Sequence, residues 1–121
     1  MFKNLRLIYI TTQNRDEARE IGRTLVEERL AACVNIIDGM ESIYEWNGEI
    51  KIGKEAILIA KTPYYNVDRL TRRVRQLHSY QCPAILSITL TEQEGNEAYL
   101  DWLLQQSGNP GEHLPSNGDD D

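Results

Sequence analysis

The sequence predicts an α+β domain with the ferredoxin-like order βαββαβ and a short helix at its C-terminal end. Three observations carry this. β-branched and aromatic runs alternate with apolar stripes of helical period. Asn47-Gly48 separates two extended runs and is a strong hairpin signal, because both residues tolerate the positive φ of a tight turn. The length, 121 residues, is that of one domain.

Leu5 to Thr11 is rich enough in β-branched and aromatic residues for the first strand. Asn14 followed by Glu17 resembles a capping box. Behind it Ala18, Ile21, Gly22, Leu25, Val26 and Leu30 recur on one helical face, which predicts a helix over about 14–31. Cys33 to Ile37 predicts the second strand. Asp38-Gly39 permits a bend or bulge, and extended chain resumes through Trp46. The strand after the Asn47-Gly48 turn runs from Glu49 to about Lys61. Thr62-Pro63 then predicts the start of a second helix, with Thr as cap and Pro at the first helical position. Val67, Leu70, Val74 and Leu77 form that helix's stripe. Pro83 introduces a strand from Ala84 to Thr91, and Asn96 to Gln106 suits a short third helix. The domain therefore spans 1–106. Residues 107–121, with three of the eight glycines, two of the four prolines and an Asp triplet, cannot bury a core, so a disordered acidic tail is expected there.

Charge and length exclude several function classes. The formal net charge is −6, but Glu112, Asp119, Asp120 and Asp121 stand in the last ten residues. Residues 1–107 are near neutral, without the basic stripe of a nucleic-acid binder. The arginines at 69, 72, 73 and 75 lack interleaved aromatics and read as a solvated helix face. The longest apolar run, Ala56 to Ala60, falls far short of the ~20 residues of a spanning helix. Arg6 interrupts the first apolar stretch, which argues against a secretory signal. Two cysteines are too few for a disulfide framework, so a reducing cytoplasm is expected.

Ala56 to Ala60 is apolar on both faces, and Ile8 and Ile10 oppose Leu7 and Tyr9. A strand apolar on both sides is ordinarily covered on both sides. The chain has helix enough for one face only, which predicts that other subunits cover the second. A homo-oligomer is the expectation.

Several segments resemble the CutA divalent-ion tolerance proteins. They are Glu28 to Asn35 (ERLAACVN), Ser42 to Gly48 (SIYEWNG), Ala56 to Thr62 (AILIAKT), Leu77 to Tyr80 followed by Pro83, and Tyr99 to Leu103 (YLDWL). Together they cover about residues 5–106 in order. The resemblance implies a ferredoxin-like subunit in a PII-like homotrimer, with ligand clefts between subunits and a part in tolerance to copper and other divalent metals. It places Cys33, Trp46, Lys61, Tyr80 and Trp102 around the cleft. One departure stands out. The family run is His-Pro-Tyr-Glu, an apolar residue, then Pro; here it is His78-Ser79-Tyr80-Gln81-Cys82-Pro83. Gln81 can hydrogen-bond a ligand in that cleft but cannot act as a general base.

Cys33, His78 and Cys82 are the candidate metal ligands, since thiolate and imidazole suit copper or zinc. The simpler reading makes Cys33 a small buried hydrophobe and His78 the end of a helix. Lys61 beside a helix start outlines an anion site, against an ordinary strand-end lysine. Trp46 and Trp102 suit packing across an interface or contact with a ligand.

A non-enzymatic binding or signalling protein is expected, with no cofactor required and copper or another divalent metal as the candidate ion. An acylphosphatase-like hydrolase is the alternative. That chemistry needs a phosphate-cradling loop, and Thr11 to Arg15 contains an Arg and an Asn but no Gly. A third reading is a trimeric scaffold that recruits a partner protein through the tail.

Overall fold

A computed structural model describes residues 3–91 and 94–108. Its elements are β1 (Leu5–Thr12), α1 (Arg15–Glu27), β2 (Cys33–Trp46), β3 (Glu49–Pro63), a single 3-10 turn (Tyr64–Asn66), α2 (Val67–Leu77), β4 (Ile85–Thr89) and α3 (Glu97–Gln106). The four strands form one antiparallel sheet in the order β2-β3-β1-β4. This is the expected βαββαβ fold with its added helix.

The core lies between the sheet and helices α1 and α2. Ile8 and Ile10 of β1, with Ala56, Leu58 and Ala60 of β3, meet Ala18, Ile21 and Leu25 of α1 and Leu70 and Val74 of α2. All ten are buried. Gly22 lets α1 approach β2 and β3 closely. A Cβ there would stand 2.9 Å from Val34 Cγ2 and 3.1 Å from Leu58 Cδ1.

The start of α1 follows the sequence signal, with one change. Glu17 N–H donates to Asn14 Oδ1 at 2.9 Å, but Glu17 Oε1 accepts from Gln13 N–H at 2.8 Å rather than from the cap residue itself. The helix ends earlier than its apolar stripe. Arg29 adopts the left-handed conformation at φ 59°, its N–H donates to Val26 O, and Leu30 N–H donates to Leu25 O. This is a Schellman cap, closed by the apolar contact of Leu25 with Leu30.

Thr62 and Pro63 do not start α2. Both remain in β3, paired with Arg6 and Leu5. The Thr62 hydroxyl donates to Leu30 O at 2.6 Å, so it is spent on tying the sheet to the end of α1. Asp38-Gly39 makes a bulge inside one continuous strand, with Gly39 at φ 80°. Asn47 and Gly48 take φ 53° and 81°, the primed hairpin turn their residue types favour. Ser107 and Gly108, assigned to the tail by composition, are buried against the body. Residues 109–121 lie outside the described residues.

The second face of the sheet carries Leu7 and Tyr9 of β1, Ile37 of β2, Ile57 and Ile59 of β3, and Leu86 and Ile88 of β4, matched across the ladders. Only one end is covered. There α3 packs Leu103 against Leu5 and Ala32, with Cys33 and Leu90 alongside. Ile37, Leu86 and Ile88 remain 51%, 57% and 49% exposed.

Candidate functional site

The sheet's open face has a polar group at each end. At the end covered by α3, Lys61 pairs in register with Cys33 on one side and Leu7 on the other. Its Nζ donates to Tyr99 Oη at 3.1 Å and lies 5.3 Å from the centre of that ring. Tyr99 in turn stacks on Trp102, with centroids 5.7 Å apart and planes inclined by 24°. Helical spacing of three residues puts both rings on one side of α3. The result is a lysine ammonium beside an aromatic shelf, with the half-buried Cys33 thiol on the neighbouring strand.

The other end is built on Glu55. Its carboxylate accepts from Ser42 Oγ at 2.5 Å and from Tyr80 Oη at 2.7 Å. Burial, then the hydrogen bond and the negative charge of Glu55, hold the Tyr80 phenol well above its ordinary pKa. His78 anchors the loop that delivers Tyr80. Its Nδ1 accepts the Tyr80 N–H at 3.0 Å, which assigns the ring proton to Nε2, bonded to Thr11 O at 2.7 Å. The His78 and Tyr80 ring centroids are 4.7 Å apart. Glu17 closes the cluster, its Oε2 accepting Ser79 N–H at 2.7 Å. Burial acts to raise the Glu17 pKa. The N–H of Gln13 and the hydroxyl and N–H of Ser79 overcome it, and the carboxyl lies below its usual range.

The expected site residues therefore divide. Cys33, Lys61 and Trp102 belong to the first end and Tyr80 to the second. Glu55 and Lys61 are six residues apart on one strand, roughly 20 Å at the rise of an extended chain. Gln81 and Cys82 are exposed on the loop after Tyr80. Trp46 sits at the end of the β2–β3 hairpin, 62% exposed.

Cys33, His78 and Cys82 are not brought together in one subunit. Cys33 faces Lys61, whereas His78 is bonded at Thr11, four residues along β1 from Leu7. Both imidazole nitrogens are occupied by backbone groups. Among the described residues, no three His, Cys, Asp or Glu side chains form a metal-binding group. The loop considered for a hydrolase is likewise committed elsewhere, since the Asn14 side chain caps α1 and the Thr12 hydroxyl donates to Asn14 O at 2.9 Å.

The structure adds three residues that sequence reasoning missed. Glu17 carried only a capping signal, and Glu55 stood among charged hairpin residues with none. Tyr99 was noted as an aromatic of a terminal helix, and its contact with Lys61 depends on how α3 packs.

Residues 6–106 match the family model described as CutA1 divalent ion tolerance protein. The chain belongs to the CutA1 family. It is 44% identical to the divalent-cation tolerance protein CutA of Thermus thermophilus over 102 residues, covering 84% of this chain and 97% of the relative. It is 37% identical to the chloroplastic Protein CutA of Arabidopsis thaliana over 103 residues, covering 85% of this chain but only 56% of that longer protein. Among solved structures, CutA1 of Oryza sativa superposes with a TM-score of 0.82 at 34% identity, covering 86% of this chain and 94% of that one. The CutA of Archaeoglobus fulgidus, described as periplasmic, superposes at 0.77 with 33% identity, covering 84% and 97%. CutA1 proteins thus carry names from more than one compartment. No helix among the described residues is long and apolar enough to cross a membrane.

Proposed function

We propose that this CutA1 protein works as a homotrimer whose open sheet faces pack on one another, and that it binds a small anionic ligand between subunits without catalysing a reaction. The open face carries the proposal. Leu7, Tyr9, Ile57, Ile59, Leu86 and Ile88 line up on one face across the ladders; beyond the end that α3 covers, Leu86 and Ile88 are exposed and the others half-buried. At ~25 cal/mol per Å² of apolar area, covering it with other copies is strongly favourable. The division of the site supports the same assembly. Lys61 and Tyr80 lie at opposite ends of one sheet, so a cleft containing both needs a neighbouring subunit.

Lys61 supplies the charge for the ligand. An ammonium carries three donors, of which Tyr99 takes one, and a carboxylate or phosphate would accept the others. Tyr99 and Trp102 would pack against the ligand's flat or apolar part. A direct role in copper or other divalent-metal handling would draw on the thiols of Cys33 and Cys82 from more than one subunit. The two free thiols suit the reducing interior of the cytoplasm.

The test is calorimetric titration of the native protein with inorganic phosphate, alongside Lys61→Ala, with the mass of both followed by light scattering. The expected result is phosphate binding to a trimer, lost in Lys61→Ala while the trimer persists. Equal binding by both proteins would overturn the assignment of Lys61. Titration with Cu(I) and Zn(II), repeated on Cys33→Ala with Cys82→Ala, tests the metal role. Uptake lost with the thiols makes the protein a direct metal handler, and no uptake makes tolerance an indirect effect.

A further inference from the structure

We infer that Arg29 is a positioning residue for the Lys61 corner, acting through α3. The inference rests on the reading of that corner as the ligand site, but its geometry stands independently. Arg29 occupies the left-handed position of the α1 Schellman cap. Glycine is the default residue there, because any side chain strains that backbone. The capping hydrogen bonds come from backbone N–H groups and need no side chain. The arginine side chain is therefore not needed for the hydrogen bonds of the α1 cap, although its charge also lies near the C-terminal end of α1.

Its guanidinium is used by α3 instead. Arg29 Nη2 donates to Gln105 O at 3.3 Å and to Ser107 O at 3.1 Å, and Arg29 O accepts the Gly108 N–H at 2.8 Å. The last carbonyls of a helix have no partner within it, and its C-terminus carries partial negative charge. α3 has no basic residue in its own last turn. Ser107 Oγ donates to Leu103 O at 2.8 Å, and Arg29 supplies the cation and a donor to Gln105 O from 76 residues away. At ten residues α3 is too short to hold its conformation alone. Its anchors include this clamp, the buried Leu103 with Leu100 and Leu104 packed beside it, and the Lys3 ion pair with Asp101 at 3.3 Å. Tyr99 and Trp102 ride on α3, so the clamp that fixes the helix also fixes the phenol that holds Lys61.

The variants Arg29→Gly and Arg29→Lys of the full chain test this. Glycine suits the left-handed backbone, so Arg29→Gly retains the α1 cap and the fold. Two measurements are read on the unliganded protein: hydrogen exchange of the α3 amides, and acetylation of Lys61 followed by peptide mass spectrometry. In Arg29→Gly the α3 amides should exchange about tenfold faster and Lys61 should react about threefold faster, while α1 and sheet amides keep native rates. Arg29→Lys, which retains the charge but not the planar fork, should fall between. Native rates at both α3 and Lys61 in Arg29→Gly would overturn the inference. So would acceleration spread evenly over α1, the sheet and α3, which marks general destabilisation. Protection of Lys61 by inorganic phosphate in the native protein tests the ligand reading separately. If phosphate fails to protect while Arg29→Gly still frees Lys61, the positioning role stands and the ligand reading falls.

Discussion

Replacing Tyr80 by Phe deletes one hydroxyl and leaves the ring that packs on His78. The lost interaction is a 2.7 Å hydrogen bond to the Glu55 carboxylate. A hydrogen bond to a charged group contributes ~1.5–3 kcal/mol, and partial exposure of this one reduces it to about 1 kcal/mol. Glu55 retains Ser42 as a donor, so no buried charge is left bare. The sign of the pH dependence follows from the raised Tyr80 pKa. The folded protein favours the neutral phenol, so its stabilisation is complete below the ordinary value of 10.0 and is lost as pH rises above it. Urea unfolding of native and Tyr80→Phe protein, at equal protomer concentration, should show a gap of about 1 kcal/mol at pH 8. The gap should shrink steadily above pH 10, where only the native protein has this hydroxyl to ionise. The two proteins differ by this hydroxyl alone, so contributions common to both cancel in the difference. A gap that is absent at pH 8, or constant through pH 11, would refute the assigned hydrogen bond.

Glu17→Gln tests the other end of the same cluster. The folded pKa of Glu17 lies below 4.5, so its charge stabilises the protein above that pH, and the gap between native and variant should close as pH falls below it. Gly22→Ala gains about 1 kcal/mol of helix propensity but forces a Cβ against Val34, at an overpacking cost of about 1–3 kcal/mol. In a Val34→Ala background the 2.9 Å clash is removed, so the two changes should be non-additive by more than 0.5 kcal/mol in unfolding experiments, an approximate floor for contacting residues. Tyr99→Phe removes the oxygen that Lys61 donates to and should speed Lys61 acetylation without changing the assembly, as read by mass spectrometry and light scattering.

The regular parts of the fold were legible because local and tertiary signals agree there. The Asn47-Gly48 turn, the Asn14 cap and most of the apolar stripe of α1 found their expected place, whereas Val26, expected on that stripe, is exposed. Thr62-Pro63 carries the local marks of a helix start, but ladder pairing with Arg6 and Leu5 and the bond to Leu30 O keep it in β3. The end of α1 was misjudged because its left-handed position holds Arg29 rather than the glycine that would have announced it. Among the candidate cleft residues, Lys61 and Tyr80 came from the family resemblance, and nothing in their local sequence showed that they lie at opposite ends of the open face. Glu17 and Glu55 looked like surface charges, since nothing in their local sequence reveals a loop folded over them from 25 or more residues away. The metal trio failed as a single-subunit site because spacing in sequence does not show that both His78 nitrogens face backbone groups.

The central claim is that the open sheet face is an interface between copies of this chain. Sedimentation equilibrium of the native protein over a wide range of micromolar concentrations tests it most directly, with Ile59→Lys run alongside. The account predicts a stable mass three times that of the 13.9 kDa chain, and dissociation when a charge is placed at Ile59 in the middle of the face. A native protein that sediments as a single chain throughout would contradict it.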